Sequence, residues 1–279
     1  MRSLSWSASP RSNPLRGALR ALTSVLTSKH TLMKAIAIVP ARIASTRLPR
    51  KILREINGKT MLERVYSAAR GCKMLSDVIV ATDSQEILDV CHKNGWQARM
   101  TSDQHRSGTD RVNEVAQTLE ADVFVNVQGD EPLARPEHID ALLGPMKRSE
   151  VMVSTIATPC PPSDVANPNA VKVVCRKDGR ALYFSRSTVP YDRDRALGVS
   201  DKPAMQVMKH LGFYAYRKSA LERFCSLPES QLERSERLEQ LRFLDNGVDI
   251  YVAETPFDTI GVDTEDDLQR VAAILKSNH

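Results

Sequence analysis

Three short stretches of this sequence hold residue types able to do chemistry. The first is Pro40-Ala41-Arg42-Ile43-Ala44-Ser45-Thr46-Arg47-Leu48-Pro49-Arg50-Lys51. It combines four cations with two hydroxyls in one loop-like segment. Arginine offers a planar fork to phosphate oxygens, lysine a point charge, and loop N–H groups further donors. In physical terms this is a cradle for a polyphosphate, although a merely solvated basic loop would have the same composition. It matches neither G-x-x-x-x-G-K-[ST] nor G-x-G-x-x-G, so it is neither a P-loop nor a dinucleotide fingerprint. The second stretch, Val127-Gln128-Gly129-Asp130-Glu131-Pro132, puts a carboxylate directly after an apolar run. That carboxylate needs a metal or a partner, unless the segment is only a capped turn. The third is Gly261-Val262-Asp263-Thr264, where a helix cap competes with a ligand role for Asp263. Two Asp residues, each at a strand end, suit Mg²⁺, which takes one or two carboxylates plus substrate phosphates.

These stretches need elements that bring them to one place. From residue 35 onward, apolar runs alternate with amphipathic segments. Strands are expected at 35–39 (stopped by Pro40), 77–81 and 123–127, with helices at 61–70, 85–94 and 112–119. Strands apolar on both faces and separated by helices imply an α/β fold with a mostly parallel, Rossmann-like sheet flanked by helices and wound with right-handed crossovers. In such sheets the ligand crevice lies beyond the carboxyl ends of the strands. The second half is less regular, with strands expected at 151–157, 171–175, 181–184, 210–216 and 249–253. Helices are expected near Pro136 and at 218–224, 232–245 and 264–276. The simplest organisation is one domain over 33–279, with a smaller mixed subregion inserted near 180–215.

Composition narrows the function classes. The 279 residues are 42% hydrophobic and 26% charged, an ordinary globular balance. The net charge of +5 lies entirely in Arg2, Arg11, Arg16, Arg20 and Lys29 of an acid-free stretch over 1–32, so the remainder is neutral. That argues against a nucleic-acid-binding face on the body of the protein. Residues 1–32 are expected to be an extension outside the fold: an early start or inert tail, a targeting segment, or a membrane-surface helix. No run of about 18 apolar residues is present, so no membrane span is expected. The five scattered cysteines lack C-x-x-C spacing and read as reduced cytosolic thiols.

The motifs carry a resemblance. P-A-R-x-x-S-T-R-L-P-x-K at 40–51, N-G-K at 57–59, V-A-T-D at 80–83, H-R-S-G-T-D-R at 105–111 and N-V-Q-G-D-E-P at 126–132 resemble the sugar-acid cytidylyltransferases. N-P-N-A-V-K at 167–172, A-L-Y-F-S-R at 181–186, Y-D-R-D-R at 191–195, H-L-G-F-Y at 210–214, L-E-Q-L-R at 238–242 and G-V-D-T at 261–264 narrow it to the 3-deoxy-manno-octulosonate (Kdo) cytidylyltransferases, the CMP-Kdo synthetases.

The resemblance spans about 34–275. It implies a nucleotidyltransferase fold and transfer of CMP from CTP to the anomeric hydroxyl of Kdo, with release of pyrophosphate, for lipopolysaccharide biosynthesis. It implies Mg²⁺ on Asp130 and Asp263, and a cytoplasmic homodimer with no nucleic-acid or membrane partner. Arg42 and Lys51 would hold the triphosphate, helped by Ser45, Thr46 and Arg47; Ser107 and Arg111 would lie near the cytidine. Gln128 would serve both substrates. Arg186, Arg193, His210, Tyr214, Glu239 and Gln240 would grip the sugar acid. For His210 a plain hydrogen bond to the sugar is preferred over a base role, because metal activation of the hydroxyl already does a base's work.

Arg50 departs from the family pattern, where a small residue, usually Gly, is common. A related sugar acid, such as sialic acid or 8-amino Kdo, is the alternative substrate. A non-catalytic nucleotide-sugar-binding module is the alternative class, and Lys51, Asp130 and Asp263 argue against it. Because residues 1–32 offer no strand or apolar face, a chain beginning at Met33 is expected to keep full activity and melting temperature, checked by assay and thermal unfolding of both lengths.

Overall fold

The computed structural model describes residues 33–277, apart from Thr46, Arg106 and Lys202. The expectations for residues 1–32 and for Thr46 therefore lie outside the described residues. A nine-stranded sheet forms the centre. The first half supplies β1 (Ala35–Ala41), β4 (Leu75–Thr82), β5 (Gln97–Met100) and β6 (Val123–Asn126); a small hairpin, β2 (Glu55–Ile56) and β3 (Lys59–Thr60), stands apart. The second half supplies β7 (Val153–Pro159), β8 (Lys172–Cys175), β9 (Ala181–Ser185), β10 (Met208–Tyr216) and β11 (Ile250–Glu254). The order is β11-β7-β10-β6-β1-β4-β5, with β8 on β10 and β9 on β8. β1 pairs in parallel with β4 and β6, β5 with β4, and β11 with β7, whereas β10 is antiparallel to β6, β7 and β8. The segment near 180–215 thus contributes strands to the same sheet.

Alternate residues of the central strands feed two cores, as expected of strands covered on both faces. Ala37, Val39 and Val125 pack beneath α1 (Met61–Gly71), α2 (Gln85–Lys93) and α4 (Pro136–Met146). Ile36, Ile38, Phe124 and Tyr216 pack beneath α3 (Gly108–Gln117) and α6 (Lys218–Ser226).

Several boundaries differ from expectation. Among them, α3 begins at Gly108 rather than 112 because Ser107 caps it, and β7 runs Val153–Pro159 rather than 151–157. Two further differences have a physical reason in the backbone. β1 runs through Pro40 to Ala41. Ile38 directs its carbonyl to Val127 on the β6 side, so the N of Pro40, two residues on, faces that side as well. Pairing with β6 has ended there, so a missing donor costs nothing. The helix expected over 232–245 is two helices, α7 (Gln231–Glu236) and α8 (Leu241–Asp245). Arg237 separates them at φ 53°, a left-handed conformation that ends α7 and turns Leu238-Glu239-Gln240 out of helical register. A short helix α5 (Arg193–Ala196) and the C-terminal α9 (Glu265–Ser277) complete the elements.

Phe124 is fully buried at the centre of the sheet. Phe124→Ala is expected to cost about 3–5 kcal/mol of stability, measured by denaturant unfolding.

Candidate active site

The basic loop leaves the carboxyl end of β1 and is docked by its own apolar residues. Leu48 packs with Val262, Leu268 and Val271, which ties the loop to the start of α9, while Ile52 enters the core beneath the sheet. Between them Arg50 adopts φ 55°, and Lys51 opens a short 3₁₀ turn over Lys51–Leu53. The left-handed conformation gives a physical reason for the small residue common at this place in the family: a Cβ there is strained, and glycine is not. Here the exposed Arg50 side chain pairs with Glu86.

The half-buried Lys51 ammonium lies 2.8 Å from Asp130 Oδ2 and 3.0 Å from Asp263 Oδ1. Two carboxylates 133 positions apart in the chain thus meet on one cation. Burial alone would lower the pKa of Lys51; Asp130 and Asp263 outweigh it, and the value rises above its usual range. The Asp263 carboxyl moves the other way: burial would raise it, but Lys51 and Arg47, whose guanidinium lies 2.8 Å from Asp263, hold it below the ordinary range. The backbone joins both loops as well, since Val262 N–H donates to the Asp130 carbonyl at 2.9 Å.

Asp263 is not a cap. Thr264 takes that role, its hydroxyl donating to Asp267 at 2.8 Å and accepting from the Asp267 N–H at 3.2 Å, which leaves the Asp263 carboxylate to the site. Gly129 is required where it stands. A Cβ there would lie 2.7 Å from the Pro40 carbonyl oxygen and 2.6 Å from Ile52 Cδ1, closer than real contacts allow. The donor set fits a hard divalent cation: two carboxylates already facing a positive charge, with room for phosphate oxygens beside them. Among the described residues no cluster of three or more His, Cys, Asp or Glu forms a site closed by protein ligands alone.

Beyond this cluster opens a cleft of about 1200 Å³. Gln128, Arg186, His210, Tyr214, Glu239 and Gln240 all line it, together with Arg47 and Asp263. Buried His210 belongs to β10, which runs against its neighbours and so brings its early residues to the carboxyl end of β7. Thr155 has one hydroxyl proton and gives it to the Phe213 carbonyl at 2.7 Å, so its contact with His210 at 2.9 Å is a bond donated by Nε2–H. Burial pushes the His210 pKa down to about 3. Tyr214 has a buried hydroxyl with no partner among the described residues. Glu239 accepts from Thr109 Oγ1 at 3.0 Å, and loss of water in the cleft raises its carboxyl.

The remaining predicted residues are placed differently. Arg42 donates to the His105 carbonyl at 2.8 Å, with Ser45 half-buried on the same loop. Ser107 caps α3 through a reciprocal pair of bonds with Asp110. Arg111 is fully buried, its guanidinium 2.6 Å from Asp83 and also bonded to Thr101, so it buttresses α3 from below. Arg193 is exposed at the start of α5, outside the residues lining the cleft. Arg186 lines the cleft, but its donors go to the carbonyls of Pro168, Glu236 and Arg237.

Two cleft residues escaped the sequence reading. Glu131 accepts from Thr259 Oγ1 at 2.7 Å, and burial, with Asp130 beside it, pushes its carboxyl up to about 8. Its adjacency to Asp130 was the available signal. Thr109 gave none, because its value lies in facing Glu239 from 130 residues away.

The chain as a whole is similar to known cytidylyltransferases. A model of the cytidylyltransferase family, described as "Cytidylyltransferase", matches residues 36–250. The chain is 72% identical over 247 residues to a 3-deoxy-manno-octulosonate cytidylyltransferase of Koribacter versatilis, covering 88% of this chain and 92% of that one. It is 54% identical over 243 residues to the same enzyme of Acidobacterium capsulatum, covering 87% and 97%. A solved CMP:2-keto-3-deoxy-manno-octonic acid synthetase complexed with CTP superposes with a TM-score of 0.82 at 39% identity, covering 88% of this chain and 100% of that one.

The low pKa of His210 has a consequence for stability. The unfolded chain binds a proton at this residue below about pH 6.5, whereas the folded protein does not until about 3. The contribution of His210 is therefore complete above pH 6.5 and declines as pH falls towards 3. Between pH 7 and pH 5 the wild type should lose about 2 kcal/mol more than His210→Asn, measured by urea unfolding at both values.

Proposed function

We propose a division of labour within this site from the premise that the chain belongs to the cytidylyltransferase family, among its 3-deoxy-manno-octulosonate cytidylyltransferases. The enzyme transfers CMP from CTP to Kdo. The observation that carries the assignment of residues is the meeting of Asp130 and Asp263 on Lys51, at the foot of the basic loop.

In this reading Arg42, Ser45, Thr46, Arg47 and Lys51 receive the triphosphate of CTP. Asp130 and Asp263 would hold Mg²⁺, which when bound supplies neutralisation of phosphate charge and Lewis acidity. The anomeric hydroxyl of Kdo attacks the α-phosphorus and loses its proton, the new C–O–P link forms, and pyrophosphate departs from the opposite side. Work of this kind is positioning and charge stabilisation more than covalent chemistry by the protein. Lys51 and Arg47, released from their carboxylates when phosphate arrives, neutralise charge along the chain of phosphates. These two cations and two carboxylates thus balance one another until substrate enters.

The sugar acid occupies the other half of the cleft. Gln128, Glu239 and Gln240 offer donors and acceptors to its hydroxyls, and the unpartnered Tyr214 hydroxyl supports a role of the same kind. His210 is neutral at working pH and tethered to Thr155, which supports a hydrogen-bonding role. A group that binds a proton only near pH 3 is a poor base near neutrality. Arg186 and Arg193 are the cations assigned to the sugar carboxylate, Arg186 from the cleft wall and Arg193 from exposed α5, outside the residues that line the cleft.

A homodimer and a cytoplasmic location complete the reading. Leu182, Tyr191, Leu197, Val199 and Met205 leave large apolar side chains exposed along 182–205, which supports a subunit contact on that face. All five cysteines are free, and among the described residues no helix is long and apolar enough to cross a membrane.

Pyrophosphate release from CTP, followed with Kdo, 8-amino Kdo and sialic acid in turn, tests the substrate. Asp130→Asn and Asp263→Asn should each lower turnover at least about a hundred-fold with little loss of melting temperature, since each removes charge and leaves the core intact. A chelator should stop the wild type, and Mg²⁺ should restore it. Wild-type rates in either variant would remove that carboxylate from the metal site.

A further inference from the structure

Lys172 is fully buried, and among the described residues it makes no ion pair with a carboxylate. Its ammonium donates to three backbone carbonyls: Asn167 at 2.9 Å, Ala170 at 2.6 Å and Arg186 at 2.6 Å. Three donors meet three acceptors, so the group is satisfied even though it has left water. Burying a cation without a contacting ion pair is costly: burial holds the Lys172 pKa below its usual value even though Asp164 and Glu236 act to raise it from farther off. Packing alone would be met as well by an apolar chain of similar volume.

The carbonyls come from two segments that line the sugar half of the cleft, 167–170 and Arg186. Arg186 extends the link. Its Nη1 donates to the Pro168 carbonyl at 3.0 Å and its Nε to the Glu236 carbonyl at 2.7 Å, while its backbone N–H donates to the Glu236 carboxylate at 3.0 Å. Two cations therefore cross-link three stretches beyond the ends of the paired strands β8 and β9, where ladder bonding has stopped for the 167–170 loop and Arg186 and never reaches Glu236. The third stretch leads through Arg237 directly into Glu239 and Gln240.

We propose that Lys172 is a positioning residue for the sugar acid: its ammonium fuses the 167–170 loop and Arg186 into one wall of the cleft. The lysine does not touch the substrate. It fixes where the wall residues stand, including the Arg186 guanidinium, whose backbone carbonyl it holds. The CTP half is built from β1, β6 and the lead into α9 and does not depend on this clasp. The proposal rests on the assignment of the sugar acid to this half of the cleft.

The test separates the two substrates. Lys172→Met keeps the length of the side chain and removes its donors. It should raise the KM for Kdo about ten- to a hundred-fold and leave the Kd for CTP, measured by calorimetry in the absence of Kdo, within about two-fold. Lys172→Arg, which keeps charge and donors, should recover most of the loss. An unchanged KM for Kdo in folded Lys172→Met overturns the proposal, and so does an equal weakening of CTP, which would mark general damage. Gln240→Ala serves as the control on the assignment beneath it. If that variant also leaves the KM for Kdo unchanged, the sugar acid does not bind this wall; if it raises the KM while Lys172→Met does not, the clasp alone fails. Should Lys172→Met prove insoluble, Lys172→Gln, which keeps a polar head and loses the ammonium, is measured in the same two assays, and an unchanged KM for Kdo in that folded variant overturns the proposal.

Discussion

One ammonium group organises the reactive end of this molecule. Lys51 sits between two carboxylates that the chain delivers from separate loops, and they offset the cost of withdrawing its ammonium from water. With Arg47 paired to Asp263 the two cations and two carboxylates balance, so the arginine-rich loop lies against the aspartates. Apolar packing supports the arrangement, because Leu48 and Val262 share one cluster and so hold the basic loop beside the segment that carries Asp263. Loop docking and charge pairing thus reinforce each other.

Sheet direction decides where everything else stands. β1, β4 and β6 run the same way, so the loops that follow them open at one edge. The reversed strand β10 then brings its first residues, rather than its last, to that edge. This is how His210 and Tyr214 come to line the same cleft as Gln128. The left-handed Arg237 does the same on a smaller scale. By ending α7 it turns Glu239 and Gln240 into the cleft, where an unbroken helix would have carried them in regular register.

Much of this was legible in the residues. The continuous apolar strands gave the sheet, and the basic loop and the two Asp-bearing turns declared their chemistry through type and spacing. The departures are equally instructive. Ser107 and Arg111 lie in a motif that reads as nucleotide contact, yet one is fastened to Asp110 as a cap and the other is sealed against Asp83 and Thr101. A motif records which residues travel together; it does not record which of them face the ligand and which hold the others in place.

The sequence by itself determined the class of fold, a basic loop after one strand and carboxylates in two other turns, because these follow from composition and periodicity over short spans. Only the tertiary structure decided which distant groups meet: Asp130 with Asp263 on Lys51, Thr109 with Glu239, and Lys172 with the carbonyls of two separate segments. Such encounters depend on strand order and direction, and on single backbone choices such as the left-handed Arg50 and Arg237. Local sequence carries little trace of them, because the energy that selects them comes from burial and charge pairing between residues far apart in the chain.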